Sequence, residues 1–188
     1  MKKVYIGLTG THSTGKTTLI KPLISILGSG IYKDVETPII PITGISRLVQ
    51  SRYNIQINES GGVAAQTKIE QLYGDMEFMY TAYSKIADRT VVDRAAYARY
   101  GKLPPEVQHS LYDASLRKAA EHYSHIFYLP PEIPLIEDGV RSTDKKFRDE
   151  VDKHIQDILR EYNIPFTTIT GTVDVRISKI LSVIGKSK

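Results

Sequence analysis

The spacing of apolar positions changes period several times along the chain. Residues 3–9 (KVYIGLT) are rich in β-branched and aromatic side chains and stop at Gly10, which predicts a short buried strand. The segment after Gly15 (TTLIKPLISIL) has helical spacing. Pro22 inside it predicts a kink or local distortion, because proline in a helix interior costs ~3 kcal/mol. Residues 31–35 predict a second strand, followed by an apolar loop, TPIIPIT, broken by Pro38 and Pro41. Across residues 61–87, Ile69, Leu72, Tyr73, Met76, Met79, Tyr80, Tyr83 and Ile86 fall at three- and four-residue steps and predict one long amphipathic helix. Residues 90–92 predict a third strand, and Pro104 and Pro105 open a helix with Val107, Leu111 and Ala114 as its buried stripe. A fourth strand at 125–129, a helix through Phe147, Val151, Ile155, Ile158, Leu159 and Tyr162, a fifth strand at 166–170 and a last helix through Ile177, Ile180, Leu181 and Ile184 complete the series.

Strands alternating with helices predict an α/β fold, a parallel sheet with helices on both faces. The 188 residues, 41% of them apolar, suit one domain spanning 1–188, and residues 130–148 are its candidate mobile lid. With no cysteine, thiolate metal sites, thiol nucleophiles and disulfides are excluded. No apolar run approaches the ~20 residues that span a bilayer, so the expectation is a cytoplasmic protein without a membrane partner. The formal charge of +4 is scattered, with no block of like charges and no aromatic interleaving, which argues against a nucleic-acid partner and suits a small anionic ligand.

One stretch carries chemistry. Gly10 to Thr17 (GTHSTGKT) matches GxxxxGK[ST] after a predicted strand and at the start of a predicted helix. At average composition the four fixed positions coincide by chance with a probability on the order of one per cent. Gly10 and Gly15 lack a Cβ and allow the backbone to turn its amides inward around a phosphate. Lys16 is placed to reach β- and γ-phosphates, Thr17 to ligate Mg²⁺, and the amides of Ser13, Thr14 and Thr18 to join the cradle at the positive helix end.

A carboxylate is expected at a neighbouring strand end. Asp93, after Val91 and Val92, is the candidate metal and catalytic acid, against the plainer role of helix cap. Arg94 beside it is a candidate acceptor clamp. Glu36, after the predicted second strand, is a rival acid that would serve as base toward a sugar hydroxyl. Arg141 is the lid residue placed to offset developing charge, with Lys145, Lys146 and Arg148 read as a solvated helix face. Gly171 and Val173, between the fifth strand and the last helix, are candidates for holding adenine, and Gln66 for reading an acceptor base.

With GTHSTGKTT, VVDRAAYA, LPPEIPLIEDGVRS and NIPFTTITGTVDVR in view, the chain resembles the P-loop nucleoside and nucleotide kinases. It is especially similar to the small P-loop ATPase family that includes the ribosylnicotinamide kinase domain, and its Asp-Arg element resembles that of thymidylate kinases. The resemblance implies a three-layer fold with a five-stranded parallel sheet in the order 2-3-1-4-5, ATP with Mg²⁺ as donor, and a small nucleotide or nucleoside acceptor. The Pro38–Pro41 stretch departs from ribosylnicotinamide kinases and directs the expectation to a deoxynucleoside monophosphate. A nucleoside kinase, such as one acting on nicotinamide riboside, is the alternative. From another class, a regulatory or motor NTPase is disfavoured by the missing NKxD tetrad and by the short span after the fifth strand. The sequence leaves monomer or homodimer open.

Overall fold

The computed structural model describes residues 1–57, 62–135 and 144–185. Strands β1 (Tyr5–Thr9), β2 (Ile39–Ile42), β3 (Ser84–Asp88), β4 (His125–Tyr128) and β5 (Thr167–Thr168) form one parallel sheet in the order 2-3-1-4-5. The central strand β1 is buried throughout, which explains its near-continuous apolar sequence. Its alternate side chains feed two cores. Ile6 and Leu8 face Leu19, Leu23 and Leu27 of α1 (Lys16–Leu27) and Ile177, Ile180 and Ile184 of α9 (Val173–Ile184). Tyr5 faces the opposite core, to which α2 (Ile45–Tyr53), α3 (Val63–Met79), α4 (Val91–Tyr100) and α8 (Lys145–Glu161) contribute Val49, Ile69, Ala95 and Ile155. Three layers result, as the alternating pattern predicts.

Two strands lie elsewhere than the pattern indicates. The second is not 31–35, where Val35 makes only an isolated bridge to Lys2, but the proline-containing Ile39–Ile42. Pro41 is tolerated because β2 is an edge strand, with a hydrogen-bonded neighbour on one side only. The third is Ser84–Asp88 rather than 90–92; Thr90 caps α4, and Val91 and Val92 are its first two helical residues. The long helix therefore ends at Met79, and Ile86 belongs to the sheet. After Pro104 the chain runs through α5 (Pro105–Gln108), a π-helical turn (His109–Asp113), α6 (Ala114–Arg117) and α7 (Ala119–His122). That wide turn rotates the later residues, so Tyr112, Leu116 and Ala119 are buried and Ala114 is exposed. Inside α1, Pro22 sits without ending the helix.

Candidate active site

The site is assembled where β1 and β3 end and α1 and α4 begin. Between β1 and α1 the loop turns through positive φ at Gly10 (145°), Ser13 (58°) and Gly15 (86°). A Cβ on Gly10 would lie 2.4 Å from the Leu129 carbonyl oxygen, so here glycine is required by both torsion and space. Gly15 is the N-cap of α1. The buried Lys16 ammonium folds into the loop and donates to the carbonyls of Gly10 (2.5 Å) and Thr11 (2.6 Å) and to Thr14 Oγ1 (3.2 Å). The loop thus arrives preshaped around a cation.

Two carboxylates flank it, with different duties. Asp93 is fully buried in the first turn of α4 and accepts from Thr9 Oγ1 (2.6 Å), the Gly10 amide (2.8 Å), the Thr90 amide (2.7 Å) and Thr90 Oγ1 (3.1 Å). It closes a capping box with Thr90 while clamping the loop's first amide. The strand-end position assigned to Asp93 belongs instead to Asp88, whose carboxylate accepts a hydrogen bond from the Thr17 hydroxyl. The chain carries two Asp-Arg pairs five residues apart, and the apolar Val91 and Val92 direct attention to the wrong one.

Beside the loop lies a cavity of about 250 Å³, lined by Lys16, Gln66, Tyr73, Asp88, Arg89 and Arg94 among others. Arg94 is buried and forks onto Glu70 (Nε to Oε2 2.5 Å, Nη2 to Oε1 3.0 Å), with its guanidinium 4.2 Å from the Tyr73 ring centre. Burial works against its charge, but Glu70 outweighs that and holds the pKa well above the usual arginine value. Arg89 adopts φ 94°, a costly torsion for a non-glycine residue, and packs its guanidinium 4.6 Å from the Tyr97 ring. The Nη1 atoms of both arginines are buried without a hydrogen-bond partner among the described residues. Gln66, buried on α3, accepts from Tyr112 Oη (3.3 Å) through Oε1, leaving its amide nitrogen for the cavity it lines. Tyr97 Oη accepts from the His12 amide (3.1 Å), tying α4 to the loop.

The remaining predicted residues separate. Thr18 lines the cavity mouth with Ser13 and Thr14. Glu36 does not reach the site: its amide donates to the Lys2 carbonyl (3.0 Å), at the amino end of the sheet, while the loop lies at the carboxyl end. Gly171 (φ 94°) and Val173 stand at the β5–α9 turn, and Val173 is exposed. Arg141 lies outside the described residues, as does the middle of the 130–148 lid. Arg148 is not on a solvated face; it is buried and donates to the Ile133 carbonyl at 2.7 Å. Arg89 and Arg176 were not singled out from the sequence. For Arg89 the signal was available, as the first Asp-Arg pair after an apolar Ile-Ala step.

A glycine cradle with its lysine, a hydroxyl and carboxylate pair at its mouth and a 2-3-1-4-5 parallel sheet define a P-loop NTPase of kinase-like architecture. A family model described as "AAA domain" matches residues 5–176, and the chain belongs to that family. Among solved structures it is similar to a NadR protein in complex with NR, at 20% identity and a TM-score of 0.74, over 98% of this chain and 52% of that one. It thus spans about half the length of the NadR chain. A deoxyadenosine kinase from M. mycoides, with products dCMP and dCDP bound, is similar at 12% identity and a TM-score of 0.65 over 98% of this chain and 100% of that one. The YorR protein from Bacillus subtilis follows at 14% identity and a TM-score of 0.55, over 96% and 95% of the two chains. Comparison with curated proteins gives no significant match. No helix among the described residues is long and apolar enough to cross a membrane.

Proposed function

We propose that this chain is an ATP-dependent phosphotransferase acting on a nucleoside monophosphate. In this reading the loop from Gly10 to Thr18 takes the donor's phosphates, with Lys16 exchanging its carbonyl partners for β- and γ-phosphate oxygens. Thr17 and Asp88 fit Mg²⁺: an alcohol and a carboxylate are the hard oxygen donors it takes beside phosphate and water. Among the described residues no cluster of three or more His, Asp or Glu side chains could hold a metal alone, which accords with an ion that arrives with the triphosphate. When bound, that ion bridges phosphate oxygens and neutralises charge. Asp93 then serves to hold the loop, and Gly171 and Val173 remain the proposed adenine contacts.

The observation that carries the acceptor assignment is the charge of the cavity. Lys16, Arg47, Arg89 and Arg94 line it against one carboxylate, Asp88, already engaged by Thr17. Two buried guanidinium nitrogens without partners are costly unless an anion fills the space between them. A phosphate acceptor meets that need and requires no general base, so the remoteness of Glu36 is no obstacle. Nicotinamide riboside carries a fixed positive charge that the same arginines repel. Gln66 is positioned to donate to a carbonyl on the acceptor's base. Arg141 keeps its proposed role in offsetting charge from the lid.

ADP release measured against a panel of nucleosides and nucleoside monophosphates tests the assignment. A monophosphate is expected as the preferred acceptor, and Arg94→Met should raise its KM at least tenfold while sparing that of ATP. Turnover with nucleosides only, unmoved by Arg94→Met, would overturn it. Hydrolysis insensitive to every small acceptor but stimulated by a protein would instead favour a regulatory or motor NTPase.

A further inference from the structure

A buried arginine on the side of the loop away from the acceptor cavity has no part in the scheme above. Arg176, in the first turns of α9, spends its guanidinium on three separate segments. Nη1 donates to the Thr14 carbonyl (2.7 Å), Nε to the Gly171 carbonyl (2.7 Å) and Nη2 to Glu132 Oε2 (3.2 Å). The same Glu132 oxygen accepts from the Gly171 amide at 3.3 Å. One side chain therefore bonds the phosphate loop, the β5–α9 turn and the stem that leads towards the lid.

The Thr14 contact has a stereochemical consequence. In a planar trans peptide the carbonyl and the following N–H point in opposite directions. Holding the Thr14 oxygen out towards α9 therefore turns the Gly15 N–H inward, towards the space above Lys16 where the loop is to take phosphate. Gly15 sits at φ 86°, and a Cβ there would come within 3.3 Å of Arg176 Nη1 and 3.0 Å of Ile133 Cδ1, so the arginine and the stem are packed directly on that peptide. Left unheld, a peptide flanked by glycine rotates at little cost, and an oxygen turned inward would face a phosphate with like charge.

We propose that Arg176 is a positioning residue that locks the Thr14–Gly15 peptide in its phosphate-accepting orientation and, through Gly171 and Glu132, links that orientation to the base end of the donor site and to the lid stem. It touches neither nucleotide nor acceptor. The inference rests on the nucleotide-binding reading of the loop, and the two are tested separately.

Calorimetry with magnesium pyrophosphate, which engages the loop without a base, and with magnesium ADP isolates the effect. Wild-type protein that binds neither would defeat the nucleotide reading itself. Given wild-type binding, Arg176→Ala should weaken pyrophosphate at least tenfold, raise KM for ATP and leave KM for the acceptor within about twofold. Arg176→Lys, with a single donor head in place of a three-way fork, should fall between the two. It carries the test if the alanine variant does not fold. A folded variant with wild-type pyrophosphate affinity overturns the proposal. So does equal weakening of donor and acceptor, the mark of a general structural loss; weakened ADP with unchanged pyrophosphate overturns the peptide lock by confining Arg176 to the base turn.

Discussion

Asp88 and Asp93 show how little residue type says about duty when burial and partners differ. Asp93 has four donors aimed at two oxygens, and none of them is dispensable: two are main-chain amides that would otherwise be buried unpaired. Asp93→Asn puts an N–H₂ group among those donors, leaves at least one without an acceptor and should cost ~2–3 kcal/mol of stability. In a chain of this length that is a melting temperature lower by roughly 5–10 °C. Asp88→Asn meets only the Thr17 hydroxyl, which an amide oxygen still accepts, so stability should stay within about 1 kcal/mol of wild type. Its loss falls on the reaction, with an expected drop in kcat of ~100-fold that added Mg²⁺ only partly restores. Melting curves and steady-state rates on the two variants separate the roles; an active Asp88→Asn enzyme would move the metal assignment elsewhere.

At the level of elements, the sequence pattern is read correctly where a helix or strand has one consistent face. The α8 stripe, from Phe147 through Val151 and Ile155 to Ile158 and Leu159, is buried as its spacing indicates, and so is β1. It is misread where chemistry and apolarity compete. SKIAD looks polar as a strand, yet Ser84 is consumed by the Val4 amide (3.2 Å) and the Lys85 stem lies along the Tyr5 ring, so a polar sequence is buried all the same. TPIIPIT looks like a loop because proline weakens a central strand, and the pattern does not reveal that this one is at the edge. The same limit hides the seam between β4 and α8. There Tyr128 Oη donates to both oxygens of the buried Asp152 (2.9 and 2.8 Å), and Gln156 adds a third bond at 2.8 Å. Burial raises the Asp152 pKa above its ordinary value despite these bonds. A carboxyl with a folded pKa above the unfolded one contributes stability that is fully present below the unfolded value of 3.8 and is lost as pH rises through the folded value. Melting temperatures of wild type and Asp152→Asn, which does not titrate, should therefore diverge in the variant's favour as pH increases from 3.8 upward. A difference that is flat with pH would mean that Asp152 ionises in the folded chain as easily as in the unfolded one.

The whole molecule places its polar machinery at one end of the sheet and leaves the other end to packing. Around the loop, Lys16, Arg89 and Arg94 are concentrated with their charges turned inward, and Lys16 spends its donors on the loop's own carbonyls. Such a centre carries more positive charge than its carboxylates balance, and a bound polyphosphate relieves that excess in the folded state only. Linkage then requires ligand to stabilise the fold as a whole: at a free concentration of 100 times Kd the gain is ~2.7 kcal/mol. For a domain of this size that corresponds to a melting temperature higher by roughly 5–10 °C with magnesium ADP. The shift should shrink when a chelator removes Mg²⁺, since the charge that Thr17 and Asp88 help to place is then missing. Lys16→Ala serves as the internal control: it removes the cation at the centre of the cradle, so magnesium ADP should move its melting temperature by less than half as much, whatever the variant's own stability. A shift of equal size in wild type and Lys16→Ala would show that the nucleotide stabilises the molecule from somewhere other than the loop between β1 and α1.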